Sequence, residues 1–537
     1  MDASICSKCG EKTTRWSTAT LQSLKITTAP GTRVQSLMHS NEPPEPSEIA
    51  SIQSSASDID APLASLDAEI SRLQKRLRSL QQDRSELLDL QRMPKSILSP
   101  LRRMPTEILA EIFVSSLPTS AELFNRTKFQ IKASPWIWTR VCSRWREVAI
   151  STPALWSLIL MNFANYHYPL EAAAAHVERS RMLKIHFSAS NDPDDTSSQT
   201  RMLTYLLEHS LRWEELFVAL TRDLIPVLPS LRHKIPSLKR FWAEWEREDD
   251  EENEEVARVF DFLQTAESLV DIGVSRCILP PSFIPRTNQL THYYADAPWD
   301  LHRAILSLSS SLIEAHINTF PENPEWSTLT GELIELSQLR RLYVSHVDAL
   351  AYLKTPLLSQ ITLDLPPGES NFHPALEHFL VTYSRTLRRM GLRGMPDALL
   401  ASRILQGCPA LTELAIMIDS FGRHRRAYEA SSVFIQLLIP TEGSVKLSGL
   451  KRLHFAFEGT LALDHELYAQ MLELRWNLQP RLRLEAATVC FESDPTLGSS
   501  QPRLEALRNG GLDLAFSQIT NVQGPMAHWL CKPRWIL

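Results

Sequence analysis

Residues able to act as nucleophile, general base or metal ligand stand singly along this 537-residue chain. The tightest group is Cys6-Ser7-Lys8-Cys9-Gly10, which has the spacing of half a zinc knuckle. Tetrahedral zinc takes four ligands, and His39 is the only other candidate nearby, since the next cysteine is Cys142. The pair therefore reads as two free thiols unless a partner completes the site. His465-Glu466 lacks the second histidine of a zinc-binding helix, and the serine elbow, the phosphate loop and the dinucleotide glycine fingerprint are all missing. Isolated histidines such as His316 and His454 are more often surface or satisfied core than bases. The expectation is a chain that is not an enzyme, with no catalytic residues, no metal and no cofactor. What stands out by type and spacing is apolar and aromatic, and the chemistry of such residues is recognition.

The densest set lies between Leu98 and Trp156. Leu101, Ile108, Leu109, Ile112 and Phe113 recur at helical spacing, and Pro105 suits the first helical position, where its missing N–H costs nothing. Glu107 in the first turn complements the helix dipole. Ser134 followed by Pro135 signals a second helix, with Trp138, Val141, Cys142, Trp145 and Val148 along one face. Thr152-Pro153 repeats that start signal and delivers Leu155 and Trp156 in a third short turn. Three short helices bury little surface, so a module this small and apolar docks on something larger.

Met104-Pro105-Thr106-Glu107-Ile108-Leu109, then Val141-Cys142-Ser143-Arg144-Trp145-Arg146, then Pro153-Ala154-Leu155-Trp156, in this order and spacing, resemble the F-box family, specifically the F-box-like proteins of fungi. The family prefers Leu-Pro where Met104-Pro105 stands, and the connection from Pro118 to Ala133 is longer and more polar than in many members. The resemblance implies that residues 98–157 bind the Skp adaptor of a cullin ubiquitin ligase while the rest of the chain captures a target protein. It assigns the adaptor contact to Leu101, Pro105, Ile108, Leu109, Ile112, Val141, Trp145 and Trp156. A non-catalytic scaffold using the same module outside a ligase is the alternative.

A hydrophobic fraction of 43% with 22% charged residues is ordinary globular composition, and a net charge of -6 gives no reason to expect nucleic-acid binding. Seven scattered cysteines suit a reducing compartment, and no apolar run reaches membrane-spanning length, which points to cytoplasm or nucleus and to no membrane partner. Residues 1–60, rich in Ser, Thr and Pro, read as a disordered tail. Over 63–93, Leu66, Ile70, Leu73, Leu77, Leu80 and Leu87 fall at alternating steps of four and three, with Arg84 at a core position and Pro94 expected to end the run. This short coiled-coil helix suits either a weak dimer or packing against the following module.

Beyond Trp156 a unit Leu-x-x-apolar-x-apolar recurs, its apolar pairs being Phe241/Ala243, Ile272/Val274, Tyr293/Ala295, Ala315/Ile317, Leu342/Val344, Ile361/Leu363, Met390/Leu392, Leu414/Ile416 and Leu453/Phe455, with Leu216/Val218 an earlier copy. Alternation marks short strands, and stretches such as 397–405 between them have helical spacing. The fold expected is mainly α on the N-terminal side, the coiled coil plus three helices, followed by an irregular α/β leucine-rich-repeat-like solenoid over 170–520 and a cap at 521–537 carrying Trp529 and Trp535. Glu244 to Glu255 is acidic apart from Trp245, Arg247 and Asn253, with Arg247 its only basic residue, and Phe421 to Ser448 lengthens one repeat.

If the apolar pair of each unit faces the core, the period of two turns its neighbours to the opposite, concave face. That step brings forward Trp242, Tyr294, Asp296, His316, Asn318, Tyr343, Thr362, Asp364, Arg393 and His454 as the surface that holds a target protein.

Overall fold

The computed structural model describes residues 2–5, 12–15, 31–118, 128–245, 259–275, 288–319, 333–365, 374–395, 398–419, 424–441, 445–458, 463–491 and 500–518. Cys6 and Cys9, the cap expected over 521–537 with its Trp529 and Trp535, and the acidic run beyond Trp245 lie outside the described residues. The chain divides into two compact units, Met1–Pro105 and Thr106–Leu537.

In the first unit, Asp2–Ile5 pairs antiparallel with Lys12–Arg15. Helix α1 (Arg33–His39) is capped by the Thr32 hydroxyl, which accepts from the Gln35 N–H. Helix α2 runs from Pro46 to Ile97, 52 residues, well beyond the 63–93 expected from the sequence and into the stretch assigned to a disordered tail. The cause is a continued heptad: Ile49, Ile52, Ala56 and Ile59 extend the four-and-three steps upstream, diluted by serines. Pro94 does not end the helix. It sits in the last turn, and its carbonyl still accepts from the Leu98 N–H, because proline removes only its own donor bond.

The second unit opens with α3 (Thr106–Ser115), a 3-10 turn (Trp136–Arg140), α4 (Ser143–Ile150) and a further 3-10 turn (Pro153–Trp156). The single second helix expected from Ser134 is thus two pieces. Val141, at φ -76°, closes the 3-10 turn, and Cys142 leaves helical dihedrals at φ -160° to precede α4. Ile137, Thr139 and Val141 lose χ1 freedom in a helix, and the indoles of Trp136 and Trp138 are drawn to different partners, which outweighs continuation.

An open sheet of fourteen parallel strands follows, in unbroken sequence order from one edge to the other. The strands are β1 (Leu158–Asn162), β2 (Leu183–Ser188), β3 (Trp213–Leu220), β4 (Arg240–Trp245), β5 (Asp271–Ser275), β6 (His292–Asp296) and β7 (Glu314–Asn318). They continue with β8 (Arg341–Val344), β9 (Gln360–Leu365), β10 (Arg389–Gly394), β11 (Glu413–Asp419), β12 (Arg452–Glu458), β13 (Ala486–Phe491) and β14 (Asp513–Gln518). Parallel neighbours require a crossover, and among the described residues many crossovers carry an α-helix: α5 (Leu170–Arg179), α6 (Thr196–Leu207), α7 (Trp299–Leu308), α8 (Pro374–Tyr383), α9 (Ala398–Gln406), α10 (His424–Leu438), α11 (His465–Trp476) and α12 (Gln501–Asn509).

The apolar pairs named from the sequence fall one pair to a strand and in register: Phe241 opposite Ile272, Ala315 opposite Leu342, Met390 opposite Leu414, Ile416 opposite Phe455. They are buried together with the inner faces of the crossover helices in one continuous core. The lengthened repeat is tied in by an ion. Arg475 of α11 is buried, and its guanidinium donates to the carbonyls of Leu438 at 2.7 Å, Lys446 at 2.8 Å and Leu447 at 3.4 Å. Burial lowers its pKa to about 10, still far above neutrality. Phe434, Ile435 and Leu438 of α10 pack beneath it on the core side.

Candidate functional site

The helical module has an inside and an outside one step apart along α3. Leu109 and Phe113 form one i,i+4 pair and are wholly buried, whereas Ile108 and Ile112 form the adjacent pair and are 51% and 43% exposed. Phe113 stacks on Trp138 with ring centroids 5.0 Å apart and planes within 2°, and Trp145 completes a three-ring cluster, 5.0 Å from Phe113 and 5.8 Å from Trp138. Val141, outside both helical pieces, is 53% exposed. Leu101 and Pro105, which belong to the first unit, are exposed, and Trp145 is half-buried.

Leu109 and Trp156, which the resemblance assigns to the adaptor contact, are wholly buried within the chain. Leu109 fills the module's own core. Trp156 joins the module to the sheet: its indole N–H donates to the Ala149 carbonyl at 2.8 Å, and its carbonyl lies 3.0 Å from His176 Nδ1. Trp136 meets Trp156 edge-on at 5.0 Å, and the Arg179 guanidinium lies 4.4 Å from the Trp156 ring centroid. Burial holds His176 down at about 4, with the nearby Arg179 charge acting in the same direction against the bond to Trp156. The ring is neutral at ordinary pH and its Nδ1–H is the donor in that bond.

On the sheet face turned away from the helical core, the residues expected to hold a target share two register rows. The central row runs Phe217, Trp242, Gly273, Tyr294, His316, Tyr343, Thr362, Gly391, Ala415, His454. Tyr294 lies 5.5 Å from His316, and His316 5.5 Å from Tyr343, ring centroid to centroid. Trp242 and Tyr294 sit two strands apart, about 10 Å by strand spacing, yet their rings are 4.9 Å apart. They lean together over Gly273, which has no side chain to keep them apart. The next row brings Asp296 beside Asn318, whose amide donates to it at 2.8 Å, and Asp364 beside Arg393.

This face is more closed than the sequence suggested. Trp242, Asp296, Thr362 and His454 are buried, while Tyr294, His316, Asn318, Tyr343, Asp364 and Arg393 are half-buried. The rings cover one another, and that costs them exposure. Burial, then the Asp296 charge, pushes the Tyr294 phenol up to about 12, and burial with Asp364 pushes Tyr343 higher still. Burial also raises Asp364, against the pull of Arg393. His454 belongs to a different system: its Nε2 lies 3.2 Å from Glu413.

That system is the row the sequence reading missed. One step before each apolar pair, the strands carry Lys184, Glu215, Arg240, Asp271, His292, Glu314, Arg341, Gln360, Arg389, Glu413 and Arg452, side by side. Base and acid largely alternate, with Lys184 to Glu215 at 2.8 Å, Arg240 to Glu215 and to Asp271 at 3.2 Å, and Arg341 to Glu314 at 2.6 Å. Burial would raise these carboxyls, but their bonds to the flanking bases outweigh it, holding Glu215 at about 2 and Asp271, Glu314 and Glu413 below their usual range. The signal was available: stepping back from each apolar pair, as well as forward, reads the alternation directly.

Because those charges are satisfied by one another, what the open face offers a ligand is ring surface, phenol hydroxyls and the Asp364–Arg393 corner. Among the described residues no cluster of His, Cys, Asp and Glu has metal-binding geometry, and no helix is long and apolar enough to cross a membrane. No family model and no curated protein matches the chain.

Proposed function

We propose that the protein is a substrate receptor: residues 106–157 dock on the Skp-type adaptor of a cullin ubiquitin ligase, and the open face of the sheet holds a target protein. The sheet, with a Leu-x-x-apolar-x-apolar unit on most of its strands and the strands in sequence order, is read as an irregular leucine-rich-repeat-like solenoid. The observation that carries the reading is the split along α3. A module with its core already filled by Leu109, Phe113, Leu155 and Trp156 still presents Ile108, Ile112 and Val141 to solvent, at the positions where the F-box resemblance expects adaptor contacts. Its mechanism is proximity. A receptor that binds adaptor and target at once raises the local concentration of target lysines at the ligase without chemistry of its own.

The two faces are separable by mutation. Full-length chain carrying Trp242→Ala, Tyr294→Ala, Tyr343→Ala and Arg393→Ala is expected to keep the adaptor and lose other co-purifying proteins, while Ile108→Asp with Ile112→Asp does the reverse. Retention of every non-adaptor partner by the fourfold variant, with its circular dichroism unchanged, would move target capture off this face.

A further inference from the structure

Helix α2 carries an apolar seam that is exposed among the described residues. Leu63, Leu66, Ile70, Leu73, Leu77, Leu80 and Leu87 are 41% to 67% exposed, and the four-and-three steps continue upstream through Ile59 and Ala56. In heptad terms Leu63, Ile70 and Leu77 take a, Ile59, Leu66, Leu73, Leu80 and Leu87 take d, and Arg84 stands at the next a. Among the described residues neither Arg84 nor Asp60 has an ion-pair partner. They lie 24 residues apart on one helix, about 36 Å, and cannot meet each other.

We propose that α2 pairs with α2 of a second copy as an antiparallel coiled coil centred between Ser71 and Arg72, with Arg84 of each copy reaching Asp60 of the other. In that register every seam position between Ala56 and Leu87 except Ile59, which meets Arg84, finds an apolar partner. Ile70 meets Leu73, Leu77 meets Leu66, Leu63 meets Leu80, Ala56 meets Leu87, and Arg84 crosses Ile59 to the carboxylate beside it. On the flanks Glu69 faces Arg76 twice. Glu69 is already bridged by Arg72 of its own turn at 2.8 Å, so the second copy adds a cation to a carboxylate that welcomes one. Pro62 falls at a flanking position, clear of the seam.

The competing arrangements are worse on charge alone. A slide of one heptad in one direction sets Arg76 against Arg76 and Glu69 against Asp83; a slide in the other sets Glu69 against Glu69 and Asp67 against Asp67. A parallel pair puts Arg84 against Arg84 in the core and leaves Glu69 and Arg76 facing glutamines. Like charges opposed across a seam select against a register as strongly as matched ones select for it.

Sedimentation equilibrium of the full chain tests this. Wild type is expected to dimerise, Arg84→Glu or Asp60→Arg alone to weaken the dimer at least about tenfold, and the two together to restore it to within about threefold. Helix content by circular dichroism stays level across the set. A wild-type chain that is monomeric throughout the micromolar range overturns the proposal, as does a dimer indifferent to the single changes. Failure of the double variant to rescue overturns it too, since a parallel pair gains nothing from the exchange.

Discussion

His176 shows how much one buried side chain can hold. Its ring packs against both Trp136 and Trp156 and donates to the Trp156 carbonyl, so it fastens the helical module to the crossover helix α5. Burial keeps both it and His302 near 4, below the ordinary histidine value of 6.5. The sign follows from proton uptake: between pH 6.5 and 4 the unfolded chain binds protons at these rings and the folded chain does not. Stability is fully present above about 6.5 and is lost as pH falls toward 4. His176→Phe keeps a ring in the joint and removes one of the two sites. The slope of unfolding free energy against pH in that window is expected to drop by up to one proton, about 1.4 kcal/mol per pH unit. An unchanged slope, measured by denaturant titration at several pH values, would mean that the ring is not buried neutral. The depressed carboxylates of the ion-pair row act lower, between about 4.5 and 2, so the two effects separate.

Among the elements, α11 depends on an unusual device. Arg475 donates to three carbonyls of the lengthened repeat, those of Leu438, Lys446 and Leu447, and a buried cation used this way is costly to remove. Arg475→Met keeps the stem and deletes the donors. It is expected to cost about 3 kcal/mol and to free α10 first, seen as amide exchange in 424–438 faster than in β11 or β12. Uniform loss of protection would place the damage in the whole sheet instead. The strands were legible because period-two burial writes itself into sequence, and Phe241/Ala243 or Leu453/Phe455 could be read without a structure. Arg475 was not legible. A lone arginine in an amphipathic helix looks like any surface arginine until the chain folds carbonyls around it. Trp156 misled for a related reason: type and spacing mark it as an anchor without saying on which side its partner lies. The upstream half of α2 was hidden by serines, which dilute a heptad without breaking it.

At the scale of the whole molecule, two surfaces differ in kind. The sheet face is broad, ringed and internally satisfied, with its charges paired along one row and its aromatics stacked along the next. The module face is small and made of aliphatic side chains that its own core has no use for. The most direct measurement is a calorimetric titration of the purified full-length chain with a Skp-type adaptor, comparing exposed and buried positions of α3 and its neighbour turn. Wild type is expected to bind. Ile108→Asp with Ile112→Asp should weaken binding at least about thirtyfold, as loss of a central contact of about 2 kcal/mol or more requires, with an unchanged melting temperature. Trp156→Ala should lower the melting temperature while the folded fraction still binds. A wild-type chain that gives no heat with the adaptor, or an Ile108, Ile112 variant that binds as tightly as wild type, would contradict the claim that this module is an adaptor-docking surface.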